Sequence, residues 1–92
     1  MSAQSRLEAG DYEGALEEIL AEHGDSLYGF LVVHLGDPVD AEEVMAIVTE
    51  RVWAGLPQFE GRASLRTWLF VIARNAALSY VGRAHHRRER SL

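Results

Sequence analysis

Ninety-two residues suffice for one domain and not for two independent cores, and 48% hydrophobic with 25% charged residues is ordinary globular composition rather than disorder. No cysteine is present, which excludes disulfides, thiol catalysis and cysteine-type zinc sites. The net charge of −5 is unevenly divided: residues 1–50 hold twelve acids against Arg6, while residues 51–92 hold eight arginines against Glu60 and Glu89. Such a division suits a dipolar domain, with one basic face for an anion and an acidic face for another partner.

Along the chain the signals are helical, and no strand-like alternation or hairpin turn appears. Asp11 caps a first helix, with Gly14 a weak point inside its first turn. Ala15, Leu16, Ile19 and Leu20 share one face of it, and Gly24 ends it. Asp25 or Ser26 opens a second helix through Leu27, Phe30, Leu31 and Leu35, apolar nearly all round, closed at Gly36. The run Leu27 to Leu35 is broken by Gly29 and His34 and cannot cross a bilayer.

Asp37-Pro38 and the capping box Asp40-x-x-Glu43 are overlapping starts for a third helix. Val44, Val48, Val52 and Leu56 form its buried stripe, Trp53 is assigned to the core, and Pro57 stops it. On this reading Glu43, Ile47 and Glu50 lie opposite the stripe, so Ile47 is expected to be exposed. Residues 57–63 form a loop. Ser64 caps a last helix whose buried side is Leu65, Trp68, Leu69, Ile72, Ala73, Ala76 and Tyr80. The expected fold is all-α, a compact bundle of about four helices forming one domain over 1–92, structured from about 8 to 84. Residues 85–92 are a basic tail.

No enzymatic constellation is present. His85 and His86 are adjacent and point about 100° apart on a helix, and His23 and His34 have no carboxylate at ligand spacing. Neither a metal nor a cofactor is expected. The information lies in the second half. Arg66, Phe70 and Arg74 are spaced by four, with Asn75 beside them and Arg51 and Arg62 nearby. Guanidinium for phosphate, a ring for a base and an amide for a base edge make a surface for single-stranded nucleic acid. By spacing alone, a solvated helix face carrying one aromatic is the commoner case.

Two blocks of sequence decide between them. Leu27-Tyr28-x-Phe30…Leu35-Gly36-Asp37-Pro38-x-Asp40-Ala41-Glu42-Glu43-Val44 resembles the opening of region 2 in extracytoplasmic-function sigma factors of the sigma-70 family. Arg51-x-Trp53…Leu56-Pro57-x-Phe59-x-Gly61-x-Ala63-Ser64-Leu65-Arg66-Thr67-Trp68-Leu69-Phe70-x-Ile72-Ala73-Arg74-Asn75 is similar to that family's promoter-melting segment. The resemblance implies an all-helical domain that binds core RNA polymerase at the clamp helices of its β′ subunit. It also implies opening of the minus-ten promoter element and capture of an unstacked base of the non-template single strand. By matching position, Asn75 is similar to the amide that reads that base, and Phe59 and Ser64 to the wall of its pocket. Arg51, Arg62, Arg66, Phe70 and Arg74 complete the DNA-binding set, and Asp40, Glu43, Ala46, Ile47 and Glu50 the polymerase-binding set.

The chain also departs from the family pattern. Ala46 and Ile47 stand where a Gln-Glu pair is usual, and Val71 and Gly29 where arginines are. The helix-turn-helix domain that reads the minus-thirty-five element has no counterpart in these residues. The alternative reading is an interaction module that binds an anti-sigma factor or another regulatory partner without promoter activity. The opening residues lack the apolar core of a secretory signal, and the tail lacks large apolar anchors, so a cytoplasmic protein with no membrane partner is expected.

Overall fold

Ser2 opens a short helix that the hydrophobic periodicity does not mark. A computed structural model describes residues 2–91, and their side chains as far as Arg83. The basic-tail reading, with His85 and His86, therefore concerns side chains outside the described residues. Helix α1 is Ala3–Glu8, α2 Tyr12–Leu35, α3 Pro38–Gly55 and α4 Leu65–Ser91, with a single 3-10 turn at Leu56–Gln58. The all-α expectation holds, with a different division of the first half.

The two helices expected on either side of Gly24 are one helix of 24 residues. Ala15, Ile19, Leu27 and Leu31 are all buried, and their spacing in multiples of four keeps them on one stripe only if the helix continues. His23 fills the gap in that stripe, its side chain 12% exposed. Gly24 costs the helix about 1 kcal/mol relative to alanine. Breaking there would take Leu27 and Leu31 off the stripe at about 1.5–3 kcal/mol each, so burial wins. Nor is the second half of α2 apolar on a buried face all round, because Val33 is 84% exposed. Gly36 ends α2 as expected, in the left-handed conformation at φ 73°, with its N–H on the Val32 carbonyl.

Asp11 caps α2, accepting from the Gly14 N–H at 3.0 Å. Arg6 of α1 reaches the same carboxylate at 2.8 Å and Glu18 at 3.6 Å, fastening α1 to α2. Gly14 is the reason this pair fits. A Cβ there would fall within 3 Å of both the Asp11 carboxylate and the Arg6 guanidinium. The Gly14 N–H, and after it Arg6, hold the Asp11 carboxyl below the usual carboxylate range.

Helix α3 starts three residues earlier than a capping box at Asp40 would put it. Asp37 is the N-cap, accepting from the Val39 N–H, and Pro38 occupies the first turn. Ala41, Val44, Val48 and Val52 are buried against α2 and α4, joined by Leu56 from the 3-10 turn. From α4 come Leu69, Ala73, Ala76 and Ala77. Small residues on both sides let α3 and α4 pack closely. Among the described residues no polar or charged residue is buried.

Candidate nucleic-acid interface

The contacts between α3 and α4 set the register of the two helices that carry most of the candidate side chains. Near one end the Tyr80 hydroxyl lies 2.9 Å from Asp40 Oδ1 and 2.8 Å from Glu43 Oε2. A phenol has one proton, so it donates to one carboxylate at a time. These acceptors raise the Tyr80 pKa well above the ordinary phenol value, Glu43 first and Asp40 second. At the other end Trp68 covers Gly55 so closely that a Cβ there would sit 2.9 Å from its ring. Gly55 lies twelve residues after Glu43 and Trp68 twelve before Tyr80, so the antiparallel pair stays in register along this seam.

That register corrects two expectations for α3. Ile47 is half-buried rather than exposed, packed against the core between the Tyr80 and Trp68 contacts. Residues 40, 43 and 47 follow the flank that α4 covers rather than the outer face. Trp53, assigned to the core from sequence, is 48% exposed. Val39, 65% exposed, and Ala46, also exposed, precede it at intervals of seven, so the three share the outer face. Sequence reading missed Val39 and Trp53 as surface residues. The interval of seven, out of phase with Val44, Val48 and Val52, is the signal that could have found them. Of the polymerase-binding set, Glu43, Ala46 and Glu50 are exposed, while Asp40 and Ile47 are half-buried.

The DNA-binding residues carried by α4 divide between two of its flanks. On the flank facing α2, Arg66 lies over the Phe70 ring at 4.7 Å, and Phe70 meets Phe30 edge to face at 5.4 Å. Phe70 is half-buried by this contact, so the stripe does not lie wholly away from the core. A cavity of about 360 Å³ opens among Phe30, Arg66, Phe70, Val71 and Arg74. Neither Arg66 nor Arg74 is in an ion pair among the described residues. Their charge is available to an anion.

The other flank carries Trp68 and Asn75, which are seven residues apart and so within about 20° of one azimuth. Asn75 is exposed and lies about 100° round the helix from Arg74. Phe59 packs on Trp68 with ring centroids 5.0 Å apart, and the loop borders an open cavity of about 260 Å³ lined also by Glu60, Gly61 and Arg62. Arg62 is exposed but pairs with Glu60 at 3.0 Å. Ser64 is spent on the helix start: its Oγ accepts from the Thr67 N–H at 3.1 Å and donates to Thr67 Oγ1 at 2.9 Å. Arg51 is exposed on α3, on the flank shared with Ile47 and Gly55. The arrangement offers phosphate contacts on one flank and an aromatic and amide surface on the other.

Comparison with known proteins agrees in family. The family model for Sigma-70 region 2 matches residues 19–88. The ECF RNA polymerase sigma factor SigX of Bacillus subtilis (strain 168) is 36% identical over 66 residues. That alignment covers 72% of this chain and 34% of SigX, so the chain spans about a third of that relative's length. No solved structure matches the chain.

Proposed function

Because the chain belongs to the sigma-70 region 2 family, we propose that it acts in transcription initiation, docking on core RNA polymerase and holding promoter DNA as a single strand. Docking on the β′ clamp helices uses α3, where Val39, Ala46 and Trp53 present an apolar strip beside Glu42, Glu43 and Glu50. The non-template strand of the minus-ten element runs over α4 and the loop before it. Arg51, Arg66 and Arg74 take phosphates, and Arg62 joins them through the N–H groups that its Nε pair with Glu60 leaves free. Phe59 walls the unstacked base whose edge Asn75 reads, and Ser64 holds the helix start that follows the loop. Phe70 backs the Arg66 guanidinium.

One observation supports the DNA reading most. In a chain of net charge −5, two arginines without ion-pair partners among the described residues flank an aromatic cavity, and one already lies over a ring, 4.7 Å from its centroid. A guanidinium held in this way loses little freedom when it meets a phosphate. The test is a comparison of single-stranded and duplex oligonucleotides of one sequence at rising salt. The reading requires tighter single-strand binding with a log–log slope of about −2 to −3 for three or four contacts. Preference for duplex refutes it.

The exposed strip on α3 also favours a second reading, an interaction module whose partner is an anti-sigma factor or another regulatory protein. Retention on immobilised core polymerase separates the two, since the first reading alone requires it.

A further inference from the structure

Phe59 borders two cavities. One is the loop cavity it shares with Trp68; the other, about 220 Å³, lies where α1 meets the loop and is lined by Gln4, Leu7, Glu8, Phe59, Glu60 and Gly61. Its chemistry is selective. It contains no cation, and its two charged residues are carboxylates, so a phosphate is excluded. Glu60 is held by Arg62, whereas Glu8 is in no ion pair among the described residues. Gln4 and Glu8 are four apart on α1, one turn from each other with Cβ atoms about 5–6 Å apart. Leu7 and Phe59 supply apolar wall.

The occupant of such a cavity is neutral and apolar in body, with an edge that matches an amide and a carboxylate side by side. A carboxylate only accepts, and an amide NH₂ donates. The Watson–Crick edge of guanine carries two adjacent donors, N1–H and N2–H₂, with the O6 acceptor beside them. Adenine and cytosine each offer one amino donor there and thymine one N–H, which leaves Glu8 a single partner and some polar groups unmatched. Resting on the single-strand reading above, we propose that the α1–loop cavity is a second base site that takes a guanine near the base faced by Asn75. Glu8 accepts from N1–H and N2–H₂, and Gln4 donates to O6.

The test walks one guanine through an otherwise all-thymine single strand and measures binding to the 92-residue chain by fluorescence anisotropy. At one position guanine should bind about tenfold tighter than adenine, cytosine or thymine. Gln4→Ala and Glu8→Gln, both at exposed positions, should each reduce that preference below about threefold with far-UV ellipticity unchanged. Glu8→Gln removes a repelling charge, so affinity for the all-thymine strand should not fall. Asn75→Ala should leave the guanine preference in place. A flat guanine walk, or a preference that survives both substitutions, overturns the second site. If base selectivity at the Asn75 position persists meanwhile, the single-strand reading stands. Failure to bind any single strand overturns both.

Discussion

Tyr80 donates across the α3–α4 seam to Glu43, 37 residues earlier in the chain, at 2.8 Å, with Asp40 as the alternative acceptor at 2.9 Å. This contact fixes where α4 stops sliding along α3, and with it the height of Asn75. Tyr80→Phe should lower the melting temperature at neutral pH. The pH dependence has a defined sign. The raised pKa means that stability contributed by Tyr80 is fully present below about pH 10, where the unfolded phenol begins to ionise, and is lost above it. Melting curves from pH 9 to 11 should therefore fall more steeply for the parent than for Tyr80→Phe. Equal slopes would remove the hydroxyl from the seam.

Two glycines of α2 should respond oppositely to alanine. A Cβ at Gly24 meets nothing within 4 Å, so Gly24→Ala should stabilise by about 0.4–1 kcal/mol. Gly14→Ala should destabilise, because its Cβ displaces the Arg6–Asp11 pair. Urea unfolding of the two variants checks both. A destabilising Gly24→Ala would restore the break between two helices.

At acid pH the Asp11 contacts should fail. Its lowered pKa places their full contribution above about pH 4, lost as pH falls through the lower folded-state value. Asp11→Asn should be less stable than the parent at pH 7 and should lose less on acidification to pH 2. Parallel curves would count against the cap and ion pair.

The helix types, the core stripe of α3 and the buried side of α4 were legible from sequence because period and burial agree there. Ser64 and Asp11 were legible because caps have local chemistry. Gly24 misled because local propensity says stop, while only tertiary burial of Leu27 and Leu31 says continue. Ile47 and Trp53 were exchanged for a similar reason. Both are large and apolar, and the phase of α3 alone does not reveal which flank α4 covers. The azimuths of the candidate DNA residues on α4 follow from their spacing, but the half-burial of Phe70 does not, since that depends on Phe30 arriving from α2. Helix α1 escaped notice, being too short to show a period.

The exchange has a consequence that can be measured. Trp53→Ala should change stability by only about 1 kcal/mol, against about 2–5 kcal/mol for Leu69→Ala at a fully buried site. Ile47→Glu should destabilise by about 1–3 kcal/mol, because it puts a carboxylate into the seam, whereas Ala46→Gln should be neutral. Trp53→Ala should also weaken retention on core polymerase. Undiminished retention would move the docking face away from the strip.

Comparing Arg74→Ala with Asn75→Ala tests the central claim most directly, because these neighbours face different flanks. Single-strand affinity is measured for both variants from 50 to 200 mM salt, with all four bases at each position of the strand. Arg74→Ala should weaken every sequence alike and flatten the log–log slope by about 0.7. Asn75→Ala should leave the slope unchanged and erase about 1–3 kcal/mol of discrimination at one nucleotide. If both variants weaken all sequences equally, or neither changes binding, α4 does not hold and read a single strand as proposed.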